Sequence, residues 1–349
     1  MPSDLTIIEG QYLKDILDQP RALDDTLANL ENGKALQALA AKIRHGKFRS
    51  IVLTGMGSSF HALHPLQNHL IRLGLATVMV ETSELVYYQS RLIDSKNILI
   101  AVSQSGQSVE MLRLLKMNRG KSPVIAVTNT ENSPLANHAD ARVLTRAGIE
   151  FSVSCKTYVS TLMALHWLAQ SIAGSDLRRS RQSMRPVSHF VADYLLHWKA
   201  HTEQLASLLR PTRNLFYVGR GNSLAAARTA ALTTKESAHF AAEGLSSAAF
   251  RHGPLEMLSQ QLFVFVFAGD PKTRNLNARL FKEIRAQGGN AELIVERSTC
   301  KPCALPVAPP ALRPILEILP VQMITLALAA LSGREAGRFD FVTKITTEE

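Results

Sequence analysis

The sequence predicts an α/β chain built as two tandem parallel sheets, each flanked by helices. Three observations carry that expectation. Short apolar runs with β-branched residues alternate with helical stretches through residues 47–190. That is the pattern of a parallel sheet reached by helical crossovers. The turns that lead from strand to helix are rich in glycine and serine. Finally, the pattern recurs: Arg213–Ser223 loosely repeats Phe48–Ser58, each a strand that runs into G-x-G-x-S.

The elements follow in order. Gln11 to Leu39 reads as helical, interrupted near Pro20. Strands are predicted at Arg49–Leu53, Thr77–Val80, Ile98–Val102, Val124–Val127 and Ala141–Leu144. One long helix, from Phe60 to Arg72, follows the first strand, and another runs from Tyr158 to Ile172. A charged helical region, Arg178–Leu209, joins the halves. The second half opens on Leu215–Val218 and returns to strand at Leu262–Phe267, then ends in an apolar helix, Ile318–Leu331. The expected division is a helical segment 1–46, a first domain 47–190, a second domain 191–333 and a tail 334–349.

Composition narrows the class. The chain has 349 residues, enough for two ordinary domains. With 46% hydrophobic and 19% charged residues it is globular rather than disordered. The net charge of +10 is spread along the chain, and its densest group, Arg178-Arg179-Arg181, lies in the connecting region. No nucleic-acid motif accompanies it, so the charge reads as a field that attracts anionic metabolites. Met1–Gln11 carries Asp4 and Glu9 and is not a signal sequence. Ile318–Leu331 is too short for a bilayer and contains Pro320 and Gln322. A soluble cytoplasmic protein is expected, with no membrane and no nucleic-acid partner.

The strongest local signal is Ser103-Gln104-Ser105-Gly106-Gln107-Ser108, which follows the apolar strand Ile98–Val102 and precedes the helical pattern at Val109. A strand, a small polar loop and a helix start expose backbone N–H groups to an anion. The loop has no lysine, so it is not a nucleoside triphosphate loop. Hydroxyls suit a phosphate monoester such as a sugar phosphate. By itself the motif is also compatible with an ordinary helix cap. Gly55-Met56-Gly57-Ser58-Ser59 repeats the arrangement after the first strand. Two such loops on neighbouring parallel strands converge at the carboxyl edge of the sheet, where α/β proteins bind ligands.

Other chemistry-bearing residues are weaker signals. Cys300-Lys301-Pro302-Cys303 is a C-x-x-C in a loop-like stretch, the spacing of a redox pair or of half a zinc site. Without a second pair to complete a zinc site it reads as an incidental thiol pair. His61, His64 and His69 fall on one predicted helix, with His61 and His64 on a shared face, yet no acid completes a ligand set. No metal and no cofactor are expected. In the second half, helical Glu236 precedes a loop that carries His252. A carboxylate and an imidazole can divide proton transfer, although such pairs also occur as plain surface charge.

Taken together, these motifs resemble the sugar isomerase (SIS) domain family in its tandem form, and are most similar to the isomerase half of glucosamine-6-phosphate synthases. The resemblance runs from Lys14–Pro20 through Gly57-Ser58-Ser59, Ser83-Glu84, Ser103–Ser108, Thr128-Asn129, Ser133–Ala136 and Ser154–Tyr158. It continues at Gly219-Arg220-Gly221, Lys235-Glu236, His252–Leu255 and Val342–Thr346. It implies two five-stranded, flavodoxin-like three-layer sandwiches and a homodimer or larger homo-oligomer. It implies that Gly57, Ser58, Ser59, Ser103, Gln104, Ser105 and Ser108 hold the phosphate of a sugar phosphate. It implies that Glu236 moves a proton between sugar C1 and C2. His252 would open the ring, reaching in from the partner subunit, and Lys344 would form a Schiff base with a ketose carbonyl.

Departures from the family pattern shape the expected activity. The synthases read E-G-A-L-K-L-K-E where this chain has Thr229–Glu236, so a second carboxylate and a lysine are replaced. Phe339-Asp340-Phe341 stands for P-R-N. No glutaminase segment precedes the isomerase-like part, and Met1 is not followed by cysteine. The expectation is an enzyme acting at C1–C2 of a 6-phosphorylated hexose amine, as an isomerising deaminase or a deglycase, without glutaminase activity. Plain aldose–ketose isomerisation and a non-catalytic sugar-phosphate sensor are the alternatives. The sensor has no chemical need for Glu236 or Lys344.

Overall fold

Among the described residues, ten strands lie in two five-stranded sheets, with every pairing parallel. This computed structural model describes residues 5–341 and 343–346. The chain divides into two compact units. Among the described residues, the first-sheet unit comprises 21–149, 156–186 and 343–346. The second-sheet unit comprises 5–20, 150–155 and 187–341.

The first sheet contains β1 (Ser50–Gly55), β2 (Thr77–Glu81), β3 (Asn97–Val102), β4 (Val124–Thr128) and β5 (Ala141–Leu144) in the order β2-β1-β3-β4-β5. β3 lies at the centre and is buried at all six positions. That burial explains why Ile98–Val102 is uniformly apolar rather than alternating: both faces of a central parallel strand are covered. Leu99 and Ala101 pack with Val52, Val124, Met111 and Leu114 on one face. Each fully buried aliphatic side chain contributes about 1.5–3 kcal/mol. The long helix spans Lys156–Ala173 and is buried over most of its circumference.

The second sheet contains β6 (Asn214–Gly219), β7 (Ala242–Ser246), β8 (Leu262–Phe267), β9 (Asn290–Glu296) and β10 (Ala304–Leu305) in the order β10-β9-β8-β6-β7. Read from β7, this is the order of the first sheet, so the repeat seen in the sequence is a repeat of topology. It is also the flavodoxin-like order, in which the chain reverses direction between the first and third strands. Phe216, Val218, Phe250, Val264, Val266 and Ile284 form a core on one face.

Three strands of this sheet, β7, β9 and β10, were not predicted from the sequence; β7 is the most hidden, because Ala-Glu-Gly-Leu-Ser contains no β-branched or aromatic residue. Gly244 explains its composition. A Cβ there would lie 2.3 Å from the carbonyl oxygen of Ala227, so the helix Leu224–Ala238 packs directly on the strand backbone.

Three sequence expectations need correction. Helix formation after β1 is split into Gly57–His61 and His64–Arg72. Pro65 causes the break: it lacks an N–H and its ring crowds the carbonyl four residues back. His61 and His64 therefore do not share a helix face, and His64 is buried. Among the described residues no group of three His, Cys, Asp or Glu could hold a metal ion.

The apolar helix Ile318–Leu331 continues helical turns from Pro310, giving a 22-residue run long and apolar enough to cross a membrane. However, 94% of its most apolar window is buried inside the protein, as expected of a core helix. It therefore has no bare apolar face to offer a partner subunit.

The third correction concerns Cys300–Cys303, which forms a 3₁₀ turn leading into β10 rather than an open loop.

Candidate functional site

In the first-sheet unit, β1 and β3 are neighbours, with Gly55 opposite Val102 at their carboxyl ends. The Gly55–Ser59 turn and the Ser103–Ser108 loop therefore leave the sheet side by side, at the point where strand order reverses. This is where an open parallel sheet forms its ligand crevice.

The Ser103–Ser108 loop is held by its own backbone and by β4. Ser103 Oγ accepts the Gly106 N–H at 3.1 Å, and Ser105 Oγ accepts the Gln107 N–H at 3.4 Å. A hydroxyl that accepts in this way keeps its proton to donate to an anion. Ser103 and Ser105 are buried, while Gln104 and Ser108 are half-buried. Ser108 is the N-cap of the helix Val109–Asn118, and its side chain makes no capping bond. Gly106 sits at φ +66°, and a Cβ there would meet Ser133 Oγ at 2.2 Å. Only glycine fits that position.

Behind the loop, Gln104 is pinned through its carbonyl. The Asn129 N–H donates to it at 3.0 Å and Thr128 Oγ1 at 3.2 Å. Asn129 is itself fixed, since its Oδ1 accepts from Thr145 Oγ1 at 2.9 Å and from the Ala147 N–H at 2.7 Å. Thr128 and Asn129 are thus positioning residues. In the sequence their only signal is a polar pair that ends an apolar strand.

Gly57, Ser58 and Ser59 form the first turn of the helix that follows β1, and all three are half-buried.

The C-terminal tail adds a second chemistry to this unit. The N–H of Val109, the residue after Ser108, donates to the Thr346 carbonyl at 3.2 Å. Thr343 Oγ1 donates to the Ile345 carbonyl at 2.7 Å, tightening the bend that carries Lys344. Lys344 is half-buried. An amine thus belongs to the same unit as the candidate phosphate loop, two residues from a carbonyl bound at its helix start.

Glu236 and His252 belong to the second-sheet unit. Glu236 lies in the last turn of the helix Leu224–Ala238 and is half-buried. Its charge helps hold the buried Tyr12 phenol in its neutral form, although burial is the larger cause. Beyond it, His239 closes the helix in a left-handed conformation. Asp340 gathers Arg334 at 3.1 Å, Arg338 at 3.6 Å and His239 at 3.7 Å. The hydrogen bond from Arg334 and the surrounding cations hold the Asp340 carboxyl below its usual range. The Gly337 N–H donates to the Ser237 carbonyl at 3.0 Å, so the chain before the tail is strapped to the residue next to Glu236. His252 caps the short helix Ser247–Arg251 and is exposed.

Where the synthase pattern has a carboxylate and a lysine, Thr229 and Thr233 are buried. Thr233 Oγ1 bonds back to the Thr229 carbonyl at 2.9 Å.

The second sheet has the same strand-to-glycine turn as the first, but acids fill its edge. A Cβ on Gly221 would meet Asp270 Oδ2 at 2.9 Å. Ser223 Oγ donates to Glu317 Oε1 at 2.7 Å. Burial pushes the Glu317 carboxyl up to about 7. Ala268-Gly269-Asp270 stands here in place of Ser-Gln-Ser-Gly.

Arg181, in the basic group that joins the halves, donates to the Leu27 and Leu30 carbonyls and lies over the Trp167 ring at 5.0 Å. This cation is engaged within the fold.

Comparison with known proteins agrees with this architecture. The chain is 30% identical over 353 residues to the glutamine–fructose-6-phosphate aminotransferase (isomerizing) of Pyrococcus horikoshii, which covers 98% of this chain and 58% of the relative. It thus spans about three fifths of the length of the curated relatives it matches. The C-terminal domain of glucosamine-fructose-6-phosphate aminotransferase from Francisella tularensis superposes with a TM-score of 0.81 at 20% identity, covering 95% of this chain and 98% of that one. Glucosamine-6-phosphate deaminase from Thermotoga maritima superposes with a TM-score of 0.74 at 20% identity, covering 93% and 96%. At these identities the two structures speak for the fold alone. The SIS domain signature matches residues 46–171 and 208–332, one match over each sheet. The chain belongs to the SIS domain family, in its tandem form.

Proposed function

We propose that this chain is an enzyme that acts at C1–C2 of a 6-phosphorylated hexose amine and releases nitrogen as ammonia or as a free amine. The observation that carries the reading is the hydrogen bond from the Val109 N–H to the Thr346 carbonyl. It ties a lysine-bearing tail to the loop best suited to a phosphate. A pure phosphosugar sensor needs the loop but not the amine. The aminotransferase relatives are named for fructose 6-phosphate and for isomerisation, which supports a phosphohexose as substrate.

In this reading Ser59, Ser103, Gln104, Ser105 and Ser108, with the N–H groups of Gly57 and Ser58, hold the phosphate. His252, supplied by the partner subunit of a homodimer, opens the sugar ring. Glu236 takes a proton from one of C1 and C2 and returns it to the other. For a 2-amino aldose this leaves an imine at C2, and water then releases ammonia and the ketose. For an amine at C1 of a ketose it leaves an imine at C1, and water releases the amine and the aldose. Lys344 meets the open-chain carbonyl as an amine nucleophile. The exchange of a carboxylate and a lysine for buried Thr229 and Thr233 supports a proton inventory different from that of the synthases.

The test is a panel of hexose 6-phosphates, amino-sugar 6-phosphates and fructosamine 6-phosphates, scored for ammonia, free amine and isomer. Ammonia or amine from a phosphorylated substrate supports the proposal. Isomer formation without nitrogen release replaces it with plain isomerisation. Tight binding without turnover of any member replaces it with a sensor. Sedimentation of the active species as a monomer would remove the role given to a partner's His252.

A further inference from the structure

The Cys300–Cys303 pair lies outside all of this chemistry. Both cysteines are buried, at 8% and 0% exposure, and both are free thiols. They are the first and last residues of a turn closed by the Cys303 N–H donating to the Cys300 carbonyl at 2.9 Å. Such a turn brings its first and fourth Cα atoms within about 7 Å, close to the span a disulfide needs. Pro302 stiffens the turn, and the Tyr194 hydroxyl donates to the Pro302 carbonyl at 2.5 Å, fixing it from the neighbouring helix.

The two sulfurs are not equivalent. The neighbouring Cys303 lowers the Cys300 thiol, while Cys300 and then burial push the Cys303 thiol up. Lys301 beside Cys300 is exposed. Glu292, half-buried on β9, acts electrostatically on both thiols, and burial pushes its own carboxyl up. A less buried thiol and a fully buried one, held at the two ends of one tight turn, have the arrangement of an attacking and a resolving thiol. The setting is a C-x-x-C directly after an α/β unit, helix Arg274–Ala286 and strand β9.

We propose that Cys300 and Cys303 form a reversible redox pair that exchanges with a low-molecular-weight or protein disulfide. The Cys300 thiolate attacks one sulfur of the oxidant, forming a mixed disulfide and expelling one thiolate. Cys303 then gives its proton to the expelled thiolate and attacks Cys300 Sγ. The mixed bond breaks, a second thiolate leaves, and an internal disulfide remains. The cysteines lose two electrons and the oxidant gains them. The turn precedes β10 directly, so the modification sits at the edge of the second sheet.

The experiment uses the whole protein, equilibrated under native conditions with glutathione buffers of rising disulfide content. It is then quenched in acid, alkylated and mapped by mass spectrometry. The expected result is one two-electron transition in which Cys300 and Cys303 lose alkylation together, joined in one peptide, while Cys155 remains reduced. Cys303→Ala should trap a single glutathione on Cys300, and Cys300→Ala should carry none on Cys303. Two free thiols at every ratio in the wild type would overturn the proposal without recourse to any variant. Independent glutathionylation of both thiols would overturn it as well.

Discussion

The Val109 amide and the Thr346 carbonyl meet at 3.2 Å. The last turn of the sequence thereby returns to the start of the helix that follows the serine loop. The contact engages one N–H of the helix start and leaves the Ser108 hydroxyl outside any capping bond. The same bend fixes the backbone on either side of Lys344. One backbone hydrogen bond thus ties the Lys344-bearing stretch to the helix that follows the serine loop.

If the serine loop holds the phosphate, a carboxylate in it must expel the ligand. Two unit charges about 4 Å apart repel by about 4 kcal/mol at the effective dielectric of a protein surface. Ser105→Asp should weaken phosphosugar binding by about a thousandfold, whereas Ser105→Ala, which loses one hydroxyl, should cost about tenfold. Calorimetric titration with a hexose 6-phosphate measures both. Equal affinities for wild type and Ser105→Asp would remove the phosphate from this loop.

Lys344 as a carbonyl nucleophile leaves a chemical trace. Borohydride added during turnover should reduce the imine and leave the sugar phosphate covalently on Lys344, detected by peptide mass. Lys344→Ala should bind the phosphosugar and show no adduct. An adduct on another lysine, or none at all in an active enzyme, would transfer this role away from Lys344.

The filled edge of the second sheet sets a pH dependence of stability. The Glu317 carboxyl, raised by burial to about 7, binds its proton in the folded chain at pH values where the unfolded chain has lost it. Its contribution is fully present below about 4.5 and is lost as pH rises through about 7. The difference is on the order of 3 kcal/mol. Glu317→Gln keeps the acceptor for Ser223 without the titration. Denaturation across pH 5–8 should show the wild type losing stability with rising pH and Glu317→Gln staying nearly level. Parallel curves for the two proteins would contradict the assignment.

The sequence made the first sheet legible because its strands are β-branched and buried, and because Gly/Ser turns mark their ends. β7 escaped detection, since Gly244 is selected by the close approach of a helix rather than by strand propensity. The break before His64 was visible in Pro65 but was outweighed by the helical period on either side. Individual residues of the candidate site stood out as chemistry, but their grouping did not. That Lys344 joins the unit of Ser103–Ser108 depends on a backbone bond between residues 237 positions apart in the chain. No local pattern encodes such a contact. The acids at the second sheet edge, half-buried Asp270 and buried Glu317, were equally hidden, since nothing local in the sequence marks them.

On the proposed function, proton transfer at C1–C2 of the bound phosphosugar depends on the Glu236 carboxylate. Glu236→Gln keeps the shape of the side chain and cannot accept a proton. The direct measurement compares, for this variant and the wild type, calorimetric affinity for the substrate identified in the panel and its turnover by ammonia or amine release. The account predicts unchanged affinity with turnover reduced about a hundredfold to ten-thousandfold, the usual contribution of a general base. Turnover that survives the substitution at the wild-type rate would contradict it.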